Sequence, residues 1–111
     1  MIVYIASPYT EGDHMENVCR QIHAADEIRD AGHLPYAPLL SHFWHVLIPH
    51  DYEYWTEMGL EWVRKTDALV RLPGKSVGAD AEVAEALRLG IPVYYDVESL
   101  PGAIRVGGGA T

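Results

Sequence analysis

Ile2-Val3-Tyr4-Ile5-Ala6 is apolar at every position, β-branched and aromatic, with nothing to turn toward water. Such a run reads as a central strand covered on both faces. Ser7-Pro8 ends it, and the period then changes. Val18, Ile22, Ala25 and Ile28 recur at helical spacing, Asp13 followed three places on by Glu16 has the form of a capping box, and Gly32 closes the segment. Residues 33–38 hold a short second strand, in which Pro35 and Pro38 predict an edge position or an early end. Residues 39–50 keep no clean period and read as a loop or short helix lying over the sheet. From Asp51 the spacing of Tyr52, Trp55, Gly59 and Trp62 predicts an amphipathic helix, acidic at its start and basic at its end through Arg64 and Lys65.

Asp67-Ala68-Leu69-Val70-Arg71 is the third strand, residues 77–89 the third long helix and Ile91-Pro92-Val93-Tyr94-Tyr95 the fourth strand. Strand and helix alternating in this way imply an α/β fold: a small doubly wound parallel sheet of flavodoxin or Rossmann type, four to five strands with helices on both faces. The expected organisation is one domain over residues 1–106 and a flexible glycine-rich tail over 107–111. In open sheets of this kind ligands sit at the carboxyl ends of the strands where the winding reverses, here between the first and third strands. Two loops meet there, Ser7-Pro8-Tyr9-Thr10 and residues 74–78.

The second of these loops carries the chemistry. Gly74-Lys75-Ser76-Val77-Gly78-Ala79-Asp80-Ala81-Glu82 leads from a strand into a helix. Backbone N–H groups at a helix start can hold a phosphate, and Gly78 has no Cβ to keep one away. Asp80 and Glu82 stand about 200° apart around the helix and cannot both face one small substrate. Asp80, in the first turn, suits the helix dipole at the surface. Glu82 shares a face with Gly78 and so can look along the side of the anion site; the residue pattern alone equally allows an ordinary solvated helix glutamate. Glu85 is either a surface partner of Arg88 or a like charge raising the pKa of Glu82.

The formal charge of −8 argues against a nucleic-acid polymer as partner. Cys19 is the lone cysteine, so no internal disulfide forms, in keeping with a reducing compartment. No apolar run approaches the roughly 20 residues of a membrane span, and the N-terminus begins as a strand without a basic leader. The expectation is a soluble cytoplasmic protein that does not bind membranes.

The segments Val3-Tyr4-Ile5-Ala6-Ser7-Pro8-Tyr9, Thr66-Asp67-Ala68-Leu69-Val70, Ser76-Val77-Gly78-Ala79-Asp80-Ala81-Glu82 and Leu89-Gly90-Ile91-Pro92-Val93 together resemble the nucleoside 2-deoxyribosyltransferase-like superfamily. They span most of the chain in the family's order. The resemblance implies that Glu82 attacks the anomeric carbon of a sugar, that the base departs, and that a glycosyl ester forms, as in retaining glycosidases. It implies that Tyr4 orients Glu82; from the strand pattern alone Tyr4 is a core aromatic. It places Asp67 on the base side, whereas local pattern makes Asp67 a helix-to-strand turn residue. Ser76 separates the branches: enzymes acting on free nucleosides carry aspartate there, and the nucleoside 5′-monophosphate N-glycosidases carry serine in a Ser-x-Gly-x-x-x-Glu pattern. A serine hydroxyl and the amides near Gly78 can donate to a phosphate that an aspartate would repel. Ser7, Pro8 and Tyr9 are the expected sugar or phosphate contacts of the first loop. The family usually has a small residue where Asp80 stands, a departure. Leu72-Pro73-Gly74 also resembles the loop of the cytokinin-activating phosphoribohydrolases, with Lys75 in place of a second glycine and the spacing one residue longer.

Six histidines are present, but none pairs in a metal-binding spacing, so no metal and no cofactor are expected. His42 and His45 read first as surface residues, with contact to base or phosphate as the alternative if residues 39–50 fold over the pocket. Trp44, Tyr54, Trp55 and Trp62 are candidates to stack on a base or bury a subunit contact, and helical spacing favours core or interface for Trp55 and Trp62. The resemblance implies a homodimer or larger homo-oligomer. Three readings follow: an N-glycosidase acting on a (deoxy)nucleoside 5′-monophosphate, a transferase moving deoxyribose between bases, and a non-catalytic nucleotide-binding module.

Overall fold

The computed structural model describes residues 1–102, so the expected tail over 107–111 and the boundary at 106 lie outside the described residues. In chain order the elements are β1 (Ile2–Ala6), α1 (His14–Asp30), β2 (Leu34–Tyr36), a 3₁₀ turn (Pro38–Leu40), α2 (Ser41–Leu47), α3 (Tyr52–Val63), β3 (Ala68–Arg71), α4 (Val77–Arg88), β4 (Val93–Tyr94) and a second 3₁₀ turn (Val97–Ser99). The strands form one parallel sheet in the order β2-β1-β3-β4, with Tyr4 opposite Tyr36 on one side and Leu69 on the other. The winding therefore reverses between β1 and β3, as expected.

Side-chain alternation divides the two central strands between two cores. Val3, Ile5, Ala68 and Val70 pack with Ala24 and Ile28 of α1 and with Val97 and Leu100. Tyr4, Ala6 and Leu69 pack with Val63 at the end of α3 and with Ala79 and Ala86 of α4. Helices on both faces explain why β1 has no polar position.

Details depart from the sequence pattern where hydrogen bonding outweighs hydrophobicity. The buried stripe of α1 runs through Asn17, Val18, Gln21, Ala24 and Ile28, while Ile22 is 42% exposed. Gln21 takes the inner position because its amide is fully employed: Nε2 donates to Ile5 O (3.1 Å) and Ser7 Oγ (2.8 Å), and Oε1 accepts from Leu39 N (2.8 Å). Asp13 caps α1 as expected, accepting from Glu16 N at 2.9 Å. β2 is an edge strand, as its prolines require. β4 is shorter than residues 91–95 because Ile91 N returns to Ala86 O (2.9 Å) at the exit of α4 and Pro92 has no N–H, contributing only its carbonyl to Leu69 N (2.9 Å). Residues 39–50 form the first 3₁₀ turn and α2, which with α3 make one wall of a cavity.

Candidate active site

Three elements converge on one carboxylate. Tyr4, fully buried in β1, donates its hydroxyl to Glu82 Oε2 of α4 at 2.6 Å. α3 reaches the same point through Gly59, where a Cβ would stand 2.7 Å from Glu82 Oε2 and 3.1 Å from the Tyr4 hydroxyl. Only glycine permits that approach. Burial pushes the Glu82 carboxyl up to about 7, against the lowering effect of the Tyr4 hydrogen bond and the positive charge of Arg71. Burial, with the adjacent Glu82, holds the Tyr4 phenol well above its usual range, so it stays a donor. Glu85 has a separate role: hydrogen bonds from Arg88 and Arg64 hold it down to about 2, with ion pairs of 2.7 Å to each. It is the surface partner of Arg88, and the shift of Glu82 comes from burial.

The two loops beside this carboxylate are tied together. Gly74 has φ +120°, and a Cβ there would come within 2.7 Å of Pro8 Cγ. Pro8, expected as a substrate contact, is thus spent on loop packing and does not line the cavity. Arg71, buried at the end of β3, donates to Leu72 O, to Gly74 O (2.9 Å) and to Asp80 Oδ1 (2.9 Å). The departure at Asp80 is neutralised by this guanidinium. Ser76 is the N-cap of α4, its Oγ accepting from Ala79 N at 3.0 Å, which leaves the hydroxyl hydrogen free to donate elsewhere. A Cβ on Gly78 would meet nothing within 4 Å, so the space beside the start of α4 is open.

Glu82 and Tyr4 face a cavity of about 530 Å³. Ser7, Tyr9, His42, Ser76 and Gly78 line it with them, so most of the expected site residues share one space. The Tyr9 hydroxyl meets His42 Nδ1 at 2.5 Å and the Tyr9 ring stacks on His14 with centroids 4.5 Å apart. Asn17 Nδ2 holds that loop, donating to Tyr9 O (3.0 Å) and Glu11 O (2.8 Å). Among the described residues neither lysine nor arginine lines the cavity, and no three His, Cys, Asp or Glu side chains are grouped to hold a metal.

Asp67 is elsewhere. It precedes β3, is exposed, and accepts from Ile2 N at 2.7 Å at the amino end of the sheet, away from the cavity. Within this chain Asp67 acts as the local pattern expects, as a turn residue, and it is not among the residues that line the cavity. Much of the cavity lining is aromatic. Tyr36 stacks on Trp62 at 4.5 Å and leans on Tyr4 at 5.7 Å, and Trp55 Nε1 donates to His45 Nδ1 at 2.8 Å. Trp55 and Trp62, expected in the core or an interface, are cavity residues. The pattern marks Gly59 only as a position on the face of its helix and gives Gln21 and Tyr36 no role; a glutamine and a glycine on apolar helix faces are the signals available.

A parallel α/β sheet with a buried carboxylate at its winding reversal is the class that fold and site define. One solved structure of that fold is a 2-deoxyribosyltransferase from the psychrotolerant bacterium Bacillus psychrosaccharolyticus, described as a biocatalyst for nucleoside synthesis: it superposes with a TM-score of 0.61 over 84% of this chain and 69% of that one, at 22% identity. Residues 1–96 match a family described as a domain of unknown function (DUF7768), and the chain belongs to that family. No curated protein matches. Among the described residues no helix is long and apolar enough to cross a membrane.

Proposed function

We propose that the chain is an N-glycosidase that releases the base from a nucleoside 5′-monophosphate through a glycosyl ester on Glu82. The observation that carries this reading is the Tyr4, Glu82 and Gly59 cluster at the floor of the cavity. Tyr4 and Gly59 occupy Oε2, while Oε1 has no hydrogen-bond partner among the described residues and is the attacking atom. As Oε1 bonds to C1′ the C1′–N bond breaks, its electron pair leaves with the base, and the base takes up a proton. Water then attacks C1′, the ester C1′–O bond breaks, and the carboxylate is regenerated as water's proton is lost. The developing positive charge of the sugar is stabilised by the carboxylate in a site shielded from water.

Ser7, Ser76 and the open amide face beside Gly78 hold sugar and phosphate, and Tyr9 with His42 flanks them. With no lysine or arginine in the lining, phosphate rests on hydroxyls, amides and the helix dipole. The assembly is a homodimer or larger, measurable by sedimentation.

The test is free-base release from a panel of ribo- and deoxyribonucleoside 5′-monophosphates by the parent and by Glu82→Ala. Release by the parent alone supports the reading; equal release by both overturns it. The fold neighbour's own activity favours a second reading, transfer of deoxyribose to another base, which a new nucleoside formed on adding a free base would reveal.

A further inference from the structure

His45 differs from the other histidines of the cavity in that a donor-only group dictates its protonation. The Trp55 indole Nε1–H donates to His45 Nδ1 at 2.8 Å, and the backbone N–H of His50 approaches the same nitrogen at 3.3 Å. An indole nitrogen cannot accept, so Nδ1 must present its lone pair and the ring proton resides on Nε2. Both His45 and Trp55 are half-buried and line the cavity, and the ring is braced edge-on against Trp55 with centroids 5.6 Å apart. His45 is therefore a neutral imidazole with one fixed donor, Nε2–H, left over for whatever fills the space.

Its place along the cavity follows from α3. Gly59 rests on Glu82 Oε2, and Trp55 lies one turn earlier on the same helix face. Trp55, which fixes the His45 ring, thus lies about one helical turn, ~5 Å, along α3 from the glycine that meets the carboxylate. That spacing is on the scale of a nucleobase, and His45 lines the same cavity as Glu82.

We infer that His45 is a specificity-determining residue whose Nε2–H, preset by Trp55, donates to an acceptor on the edge of the substrate's base, a ring nitrogen or keto oxygen. This rests on Glu82 acting at C1′ as proposed above. A fixed donor selects a base with an acceptor at that position and rejects one with an amino group there, because two N–H groups would face each other without water. The neutral ring positions the base and does not protonate it, since losing the Nε2 proton would leave an imidazolate.

The experiment measures kcat/KM for the preferred monophosphate and for analogues in which each acceptor of its base is in turn replaced: 1-, 3- and 7-deaza forms of a purine, 2- and 4-deoxo forms of a pyrimidine. One analogue should lose about 10- to 100-fold with the parent, the worth of one buried hydrogen bond. His45→Ala should lose the same factor on the natural base and no longer discriminate against that analogue. His45→Gln, whose amide can donate from near the Nε2 position, should recover discrimination, and His45→Asn should not. Trp55→Phe, which frees the ring to change tautomer, should reduce discrimination severalfold, and it serves as the test if His45→Ala does not fold. A uniform loss across all analogues would reduce His45 to a wall residue and overturn the inference while leaving the Glu82 reading intact. Absence of base release by the parent on every nucleotide and nucleoside would instead remove the Glu82 reading, and this inference with it.

Discussion

The two sides of the cavity are built by different rules. The floor, Tyr4 and Glu82 with Gly59 against them, is set on the central strand and on two helices that share its buried core, and its members touch at hydrogen-bond or van der Waals limits. The wall, residues 41–55, carries Trp44, Trp55, Tyr54 and His50 in edge and tilted ring contacts at 5.0 to 6.3 Å, and leaves Val46, Leu47 and Ile48 60 to 82% exposed. Chemistry that needs sub-ångström placement sits on the rigid part, and recognition sits on the part with room to vary. Substitutions on the floor should therefore abolish turnover, and those on the wall should redistribute it among substrates.

The largest effect is expected from Glu82→Gln, which keeps the shape and removes the nucleophile: base release should fall by at least about 10³-fold. The same variant reports on stability with opposite sign. The folded carboxyl titrates at about 7, above its ordinary value of 4.5, so the folded state binds the extra proton between those limits. Stability is accordingly lost as pH rises through that window and the penalty is complete above about 7. Glu82→Gln should thus raise the unfolding free energy from urea titration at pH 8 by about 2 kcal/mol, after allowing for partial exposure, and by nothing at pH 4. A variant no more stable at pH 8 than the parent would contradict the buried-carboxylate account.

Gly59→Ala should come next. Alanine would normally gain up to about 1 kcal/mol in a helix, but here its Cβ meets Glu82 Oε2 at 2.7 Å, and one or other must move. Displacing the reacting carboxylate by a fraction of an ångström to one ångström costs about 10²-fold in kcat, and overpacking costs about 1–3 kcal/mol, so both activity and stability should fall. An active, stabilised variant would separate the floor from the chemistry. Tyr4→Phe keeps the ring and deletes the donor to Oε2. The loss at pH 7 should be about 10- to 100-fold, from one hydrogen bond to a charged group. Because that hydrogen bond lowers the Glu82 carboxyl, its removal should move the rising limb of kcat/KM, half-maximal near pH 7 in the parent, to higher pH.

The floor was half legible in the sequence. The strand at residues 2–6, the turn at Gly74 and the helix carrying Glu82 are local patterns, and helix and sheet periods expose them. The pairing of Tyr4 with Glu82 spans 78 positions and came only through family resemblance. The roles of Gly59 and Gln21 were invisible for a related reason: they depend on atoms from other elements arriving at one point, and a helix face records only that something packs there. The wall was less legible still, since residues 39–50 have no period, and helical spacing places Trp55 and Trp62 in a core or interface without indicating the cavity they line.

Asp67 carries the smallest predicted effect. Residue 67 precedes β3, and in a parallel sheet that places it at the amino end, while ligands gather at the carboxyl ends. Topology and resemblance therefore point to different roles for this residue. Its carboxylate secures Ile2 N at 2.7 Å, at an exposed position. Asp67→Ala should cost at most about 1 kcal/mol in unfolding free energy from urea titration and change kcat/KM by no more than about twofold for every nucleotide tested. A loss of tenfold or more that differs between bases would place Asp67 at the substrate after all, and the comparison of floor and wall would have to admit a third participant, reached only if the chain's amino-end face is apposed to the cavity of another copy.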